Sequence, residues 1–215
     1  PLADFNITPD VAIVDPALVA ELPVKQVAYT GMDAMTHAIE AYVSTLNCPY
    51  TDPLALKAIE MVFDYLPASY RCNMEARAKM HDAQCLAGMA FSNALLGIVH
   101  SMAHTIGGIF HVSHGLADAI ILPYIIRYNE QNETANEVYA KFAKRIGAEN
   151  LHEAVEALNE KLNIPKCFKE IIPDEEKYMA KLDEMAPLAK ADGCTKTNPV
   201  IPEIDEFKEL FIKVY

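Results

Sequence analysis

Four of the seven histidines in this 215-residue chain fall between positions 100 and 114, within VHSMAHTIGGIFHVSHG. His100 and His104 are four residues apart, so on a helix both rings leave from one face. The diglycine Gly107-Gly108 lets the chain turn back, and His114 can then return towards the same point. Imidazoles gathered in this way can hold a transition-metal ion, because ligation needs convergence rather than adjacency. Upstream, Asp33 and His37 in GMDAMTHAIE repeat the four-residue spacing and add a carboxylate. Asp33 sits in a largely apolar stretch, and burying its charge is costly unless a cation faces it. Each element also has a plainer reading. Paired histidines occur on solvated helices, Asp33 could serve the dipole at a helix start, and His111 could be a solvated loop residue. His81, in ARAKMHDAQ, and His152, after Asn150, read as surface residues.

The elements that must carry these residues are helical. Periodicity predicts helices over 32–46, from Asp52-Pro53 to Leu66, from Met74 behind an Asn73 cap to about Gly97, and over 98–106. Gly107 to Ser113 reads as a loop. Further helices are expected near 115–129, 133–146, 151–162, 174–190 and 203–214, with five prolines punctuating the last third. The one short β-branched run is Val11-Ala12-Ile13-Val14. The expectation is one all-α domain spanning 1–215, of eight or nine helices, with a short junction segment at about 1–20.

Composition narrows the function. Hydrophobic residues make up 52% of the chain and charged residues 22%, which is globular and sufficient for a core. With 18 basic against 30 acidic residues the net charge is −12, which argues against nucleic acid or an anionic membrane surface as partner. No apolar run reaches the roughly 18–20 residues of a membrane-spanning helix. The eight glycines form no Gly-x-Gly-x-x-Gly and no Gly-x-x-x-x-Gly-Lys, so both common phosphate cradles are missing. Five dispersed cysteines without Cys-x-x-Cys fit free thiols and a cytoplasmic location. The opening Pro1-Leu-Ala-Asp-Phe5 lacks the basic start of a signal peptide and reads like the interior of a longer protein.

The blocks Gly31-Met-Asp-Ala-Met-Thr-His-Ala-Ile-Glu-Ala-Tyr42 and Gly97-Ile-Val-His-Ser-Met-Ala-His-Thr-Ile-Gly107 together resemble the iron-containing (group III) alcohol dehydrogenases. The resemblance continues through Phe110-His-Val-Ser-His-Gly-Leu-Ala-Asp-Ala119 and Ile121-Leu-Pro-Tyr-Ile-Ile-Arg-Tyr-Asn129. Asp192-Gly-Cys-Thr-Lys-Thr-Asn-Pro199 is similar to the alcohol dehydrogenase part of bifunctional aldehyde-alcohol dehydrogenases. Thr105 replaces a Pro or Lys common in such relatives.

The resemblance implies the helical C-terminal domain of the dehydroquinate synthase-like fold, with the N-terminal α/β nucleotide-binding domain absent. It implies a metal held by Asp33, His37, His100 and His114, with His104 facing nicotinamide and substrate as a proton relay. Asp15-Pro-Ala-Leu18 resembles a stretch bordering the cofactor cleft, which makes Leu18 a second cofactor-binding candidate. Fe2+ is the implied ion, and the N3O donor set also suits Zn2+. NAD(H) is the implied cofactor and a small aldehyde or primary alcohol the substrate. Relatives self-associate, so a homo-oligomer is expected. Alone, the chain is expected to bind nicotinamide poorly and turn over slowly or not at all. The alternatives are a metal-binding or assembly fragment without catalysis, and a glycerol or diol dehydrogenase of the same fold family.

Overall fold

The computed structural model describes residues 4–215, and among them there are ten α-helices and no strand. They are α1 (Val24–Val43), α2 (Asp52–Tyr70), α3 (Met74–Ala94), α4 (Ile98–Phe110), α5 (His114–Asn129), α6 (Glu133–Arg145), α7 (Leu151–Lys161), α8 (Glu175–Met179), α9 (Leu182–Ala191) and α10 (Ile204–Val214). Single 3-10 turns cover Phe5–Ile7, Pro16–Val19, Phe168–Glu170 and Gly193–Thr197. Among the described residues no single helix is long and apolar enough to cross a membrane. The all-α expectation therefore matches the fold.

Short polar side chains begin four of these helices by taking up otherwise unpaired backbone N–H groups. Asn73 accepts from Ala76 N–H at 2.9 Å, Asn132 from Ala135 N–H at 3.0 Å and Asn150 from Glu153 N–H at 2.9 Å. Glu203 and Glu206 cap α10 reciprocally. The helices α1, α2 and α3 pack on one another, and α5 lies against α1, α4 and α7. Small residues allow the close approach. Ala28, Ala34, Ala38 and Ala41 of α1 are buried, as are Ala83, Ala87, Ala90 and Ala94 of α3. Gly115 opens α5 against α1, where a Cβ would lie 2.2 Å from the Tyr29 carbonyl oxygen. α5 is buried nearly all round.

Several boundaries differ from expectation, for local reasons. α1 begins at Val24 rather than 32, because Gly31 sits inside the helix under the Leu66 side chain. α2 runs past Pro67 to Tyr70, its last turn held by Arg77, which donates to Ser69 O at 3.0 Å. α3 stops at Ala94, where Leu95 turns left-handed at φ 62. The Gly107 to Ser113 loop is shorter than expected. α4 continues through both glycines, and the reversal comes at His111, left-handed at φ 57, whose N–H donates to Gly107 O. The expected 174–190 helix divides into α8 and α9 at Ala180-Lys181. Val11 to Val14 forms no strand and is exposed.

Candidate metal centre

Three helices each deliver a pair of side chains spaced four residues apart. α1 gives Asp33 and His37, α4 gives His100 and His104, and α5 gives His114 and Asp118. The approach of α5 to α1 at Gly115 brings the last pair against the first. Oδ1 of Asp33 lies 3.5 Å from Nε2 of His37, 3.6 Å from Nε2 of His100 and 3.6 Å from Nε2 of His114. Ligands at roughly 2.1–2.2 Å from one ion in a tetrahedral arrangement stand about 3.5 Å apart. These spacings are too long for hydrogen bonds and match donors sharing a cation. Asp33 Oδ1, His100 Nε2 and both Asp118 oxygens are buried without a hydrogen-bond partner. Orphaned polar atoms are rare in folded proteins, and a group of them pointing at one volume fits a cation. The donor set thus suits a divalent metal.

The surroundings are shaped for that task. Glu40 is one turn beyond His37 on α1 and 3% exposed. Its Oε2 lies 2.6 Å from Nδ1 of His100, and its Oε1 accepts from Val99 N–H at 2.7 Å. This assigns the proton to Nδ1 and turns the Nε2 lone pair towards Asp33. The His37 ring stacks between Phe91, with centroids 4.3 Å apart, and His100, 4.7 Å apart.

Charge follows the same geometry. Burial alone would raise the Asp33 pKa, but His100, His37 and His114 outweigh it and hold the carboxyl below its usual range. Burial and the neighbouring His100 lower His37 to about 4, and burial lowers His114 as well. Both rings are therefore neutral at physiological pH and have lone pairs to give. His100 is pushed the other way. Burial opposes its charge, yet the Asp118 and Glu40 carboxyls raise its pKa well above the ordinary value. A bound cation would take the place of that proton.

The centre opens on one side. The His100 side chain is 2% exposed, against 45% for His104 and 40% for His114. His104 Nδ1 lies 2.9 Å from Asp192 Oδ2, while Asp192 Oδ1 accepts from Cys194 N–H at 2.8 Å. Thr195 and Ser101 hydroxyls, 2.8 Å apart, tie the Gly193–Thr197 turn to α4. Two surface concavities lie elsewhere, one beside Arg77 and Met80 and one beside Tyr50 and Met89, and neither includes a donor of this cluster.

Asp33, His37, His100 and His114 are thus brought together, and His104 stands at their open edge. Leu18 is 81% exposed on the Pro16–Val19 turn. That segment is docked on α3, where Arg77 donates to the Val19 and Ala20 carbonyls. Among the described residues no hydrogen bond or ion pair links it to α4 or α5. His111 is exposed and outside the cluster. His81 is half-buried rather than at the surface, and His152 is only 13% exposed, with Nδ1 3.2 Å from Glu130, because its helix start packs back on the end of α5. Sequence reasoning assigned no role to Glu40, Asp118 or Asp192. For Asp118 the signal was present, since it repeats the four-residue spacing behind His114.

Comparison with known proteins gives a consistent result. Residues 27–215 match the family described as Fe-containing alcohol dehydrogenase family, C-terminal. The chain is 52% identical over 224 residues to an NADPH-dependent butanol dehydrogenase of Clostridium saccharobutylicum, covering 100% of this chain and 57% of that protein. It is 39% identical over 242 residues to a bifunctional aldehyde-alcohol dehydrogenase of Escherichia coli, covering 100% of this chain and 27% of that protein. The iron-containing alcohol dehydrogenase structure from Thermococcus thioreducens superposes with a TM-score of 0.95 at 39% identity, covering 100% of this chain and 57% of that one. The chain therefore spans little more than half the length of two of these proteins and about a quarter of the third.

Proposed function

We propose that this chain, which belongs to the Fe-containing alcohol dehydrogenase family, is the metal-holding part of an enzyme that interconverts a small aldehyde and its primary alcohol. The observation that carries the reading is the Asp33 oxygen standing 3.5–3.6 Å from three imidazole nitrogens, with no hydrogen bond to relieve it. Asp33, His37, His100 and His114 would hold Fe2+, with Zn2+ as the alternative occupant of the same donors. When bound, the ion supplies Lewis acidity to a carbonyl or alkoxide oxygen, and the nicotinamide supplies the hydride chemistry.

The chain's own residues prepare that site. Glu40 holds the His100 ring so that its Nε2 faces inward. The stacked inner wall of half-buried Phe91 and His37 and buried His100 closes one side and leaves the His104 and His114 edge for substrate. Asp192 accepts from Nδ1 of His104, which leaves Nε2 to exchange a proton with the substrate oxygen. Imidazole is suited to that exchange near neutral pH. We assign the nicotinamide to the same open edge, against His104, with Leu18 as a second contact. NAD(H) is our reading, and the NADPH dependence of the Clostridium saccharobutylicum relative makes NADP(H) the pair to test beside it. We assign pyrophosphate binding to an N-terminal nucleotide-binding domain outside these 215 residues. The working form is a cytoplasmic homo-oligomer.

The test is elemental analysis of anaerobically purified protein, beside His100→Ala and His114→Ala. Either substitution should sharply lower metal occupancy, and unchanged occupancy would defeat the site assignment. A panel of ethanol, butanol, propanediol and glycerol with NAD and NADP then reads the substrate class. A second reading, a metal-binding module without catalysis, is favoured by the lack of a glycine-rich phosphate cradle in these residues. It predicts bound metal with no alcohol-dependent nicotinamide reduction.

A further inference from the structure

We propose that His104, Asp192 and Cys194 form a second ion site, separate from the Asp33 centre, which takes a thiophilic divalent cation such as Zn2+ and, when filled, withdraws His104 from proton exchange. The consequence rests on the reading of His104 given above; the binding itself does not.

His104 leaves the exposed face of α4, while Asp192 and Cys194 come from the start of the Gly193–Thr197 turn. One donor atom from each lies within 4.8 Å of the other two, and none of the three belongs to the donor group around Asp33. The turn is held in place before any ion arrives. The Thr195 hydroxyl lies 2.8 Å from the Ser101 hydroxyl and 2.7 Å from the Ala189 carbonyl, and the Thr197 hydroxyl donates to the Leu96 carbonyl. Asp192 Oδ1 accepts from Cys194 N–H at 2.8 Å, which keeps the carboxylate beside the thiol.

The donor set has a definite chemistry. His104 Nδ1 and Asp192 Oδ2 stand at a hydrogen-bond distance of 2.9 Å. Around a tetrahedral ion two such donors stand about 3.5 Å apart, an adjustment open to a ring that is 45% exposed. On binding, the His104 proton passes from Nδ1 to Nε2 and the thiol proton is released to solvent. Carboxylate and thiolate then neutralise the divalent ion, and water completes a fourth position. The thiol selects the ion, because sulfur favours zinc over manganese or magnesium. Burial and the Asp192 carboxylate raise the Cys194 thiol above its usual range, so it stays protonated until a coordinating cation displaces the proton. With Nδ1 on the ion and Nε2 protonated, His104 has no lone pair left to accept a proton from an alcohol.

Anaerobic titration with Co2+ tests the site, because thiolate bound to Co2+ gives a near-ultraviolet charge-transfer band that imidazole and carboxylate do not. The parent should bind two ions per chain and show the band, and Cys194→Ser should bind one and lack it. No band in the parent, or the same band in Cys194→Ser, would overturn the proposal. His114→Ala separates this site from the Asp33 centre. Loss of one ion with the band retained supports both sites. Retention of both ions and the band supports this site and defeats the other. Loss of the band together with the first ion would overturn a separate second site. In the complete enzyme, with its first ion in place, added Zn2+ should inhibit. Cys194→Ser should need about tenfold more Zn2+ or beyond, since altering even a group behind a ligand costs that much affinity. Equal sensitivity of parent and variant would overturn the effect on His104.

Discussion

Glu40 Oε2 lies 2.6 Å from Nδ1 of His100, and this contact decides which nitrogen of a nearly inaccessible ring faces the other donors. The same carboxylate anchors the first turn of α4 by accepting from Val99 N–H. One side chain on α1 therefore sets both the position of α4 and the orientation of its histidine. Gly97 makes this possible, since a Cβ there would lie 2.8 Å from Glu40 Oε1.

Glu40→Gln keeps the size of the side chain and removes its charge. The amide can still meet Nδ1, but it no longer offers two charged acceptors to the ring and the helix. Metal affinity is expected to fall by about 10–100-fold, the usual cost of altering a group that orients a ligand. Competition with a chromophoric chelator under anaerobic conditions reads this directly. Equal dissociation constants for parent and variant would show that Glu40 has no orienting part.

Gly115→Ala tests whether the meeting of α1 and α5 is as close as it looks. The added methyl would lie 2.2 Å from the Tyr29 oxygen and 2.7 Å from its carbonyl carbon, both backbone atoms that cannot swing away. The helices must part, at a cost of about 1–3 kcal/mol or more. Gly88→Ala is the matched control, because nothing lies within 4 Å of its added carbon and it sits inside α3. Relief of helix-interior glycine should make that variant more stable by about 0.5–1 kcal/mol. Urea unfolding of both variants should move in opposite directions.

The pairs Asp33/His37 and His100/His104 were legible because helical spacing is written in the sequence itself. So was the asparagine cap at Asn73, whose acceptor chemistry is local. Glu40 and Asp192 were not, because each acts on a histidine of another element and its meaning appears only once the helices have packed. Gly107 and Gly108 misled for a related reason. Glycine weakens a helix by about 1 kcal/mol without breaking it, and the buried face of α4 from Ile98 to Ile106 outweighs that cost. The start of α1 was hidden likewise by Gly31, which serves the packing of Leu66.

Arg77 is 3% exposed and its guanidinium joins three parts of the chain. Nε donates to the Ser69 hydroxyl at 3.0 Å, Nη2 to the Ser69 carbonyl at 3.0 Å and Nη1 to the Val19 carbonyl at 2.8 Å. Arg77→Ala removes all of these, leaving the Ser69 carbonyl to Cys72 N–H and the Val19 carbonyl to Leu22 N–H alone. A loss of about 2–4 kcal/mol is expected. Limited proteolysis should then cut first around Val19 to Leu22, which Arg77 fastens to α3. A variant that resists protease there as the parent does would show that other contacts hold the segment.

Asp192 gives a prediction in pH. Its hydrogen bond from His104, and then the Cys194 N–H, hold its carboxyl far below the ordinary value of 3.8, against the opposing effect of burial. A carboxyl whose folded pKa is depressed stabilises the fold fully above the unfolded value. That contribution fades as pH falls from there through the lower folded value. Asp192→Asn removes it at every pH. The stability gap between parent and variant should therefore stay level from about pH 7 to about 5 and narrow below about pH 4. Since the pair is partly solvated, the gap should be about 1 kcal/mol or less. Urea unfolding of both proteins across that range, at fixed ionic strength, measures it. A gap that widens on acidification would mean that the ionised carboxylate does not stabilise the Gly193–Thr197 turn beside His104.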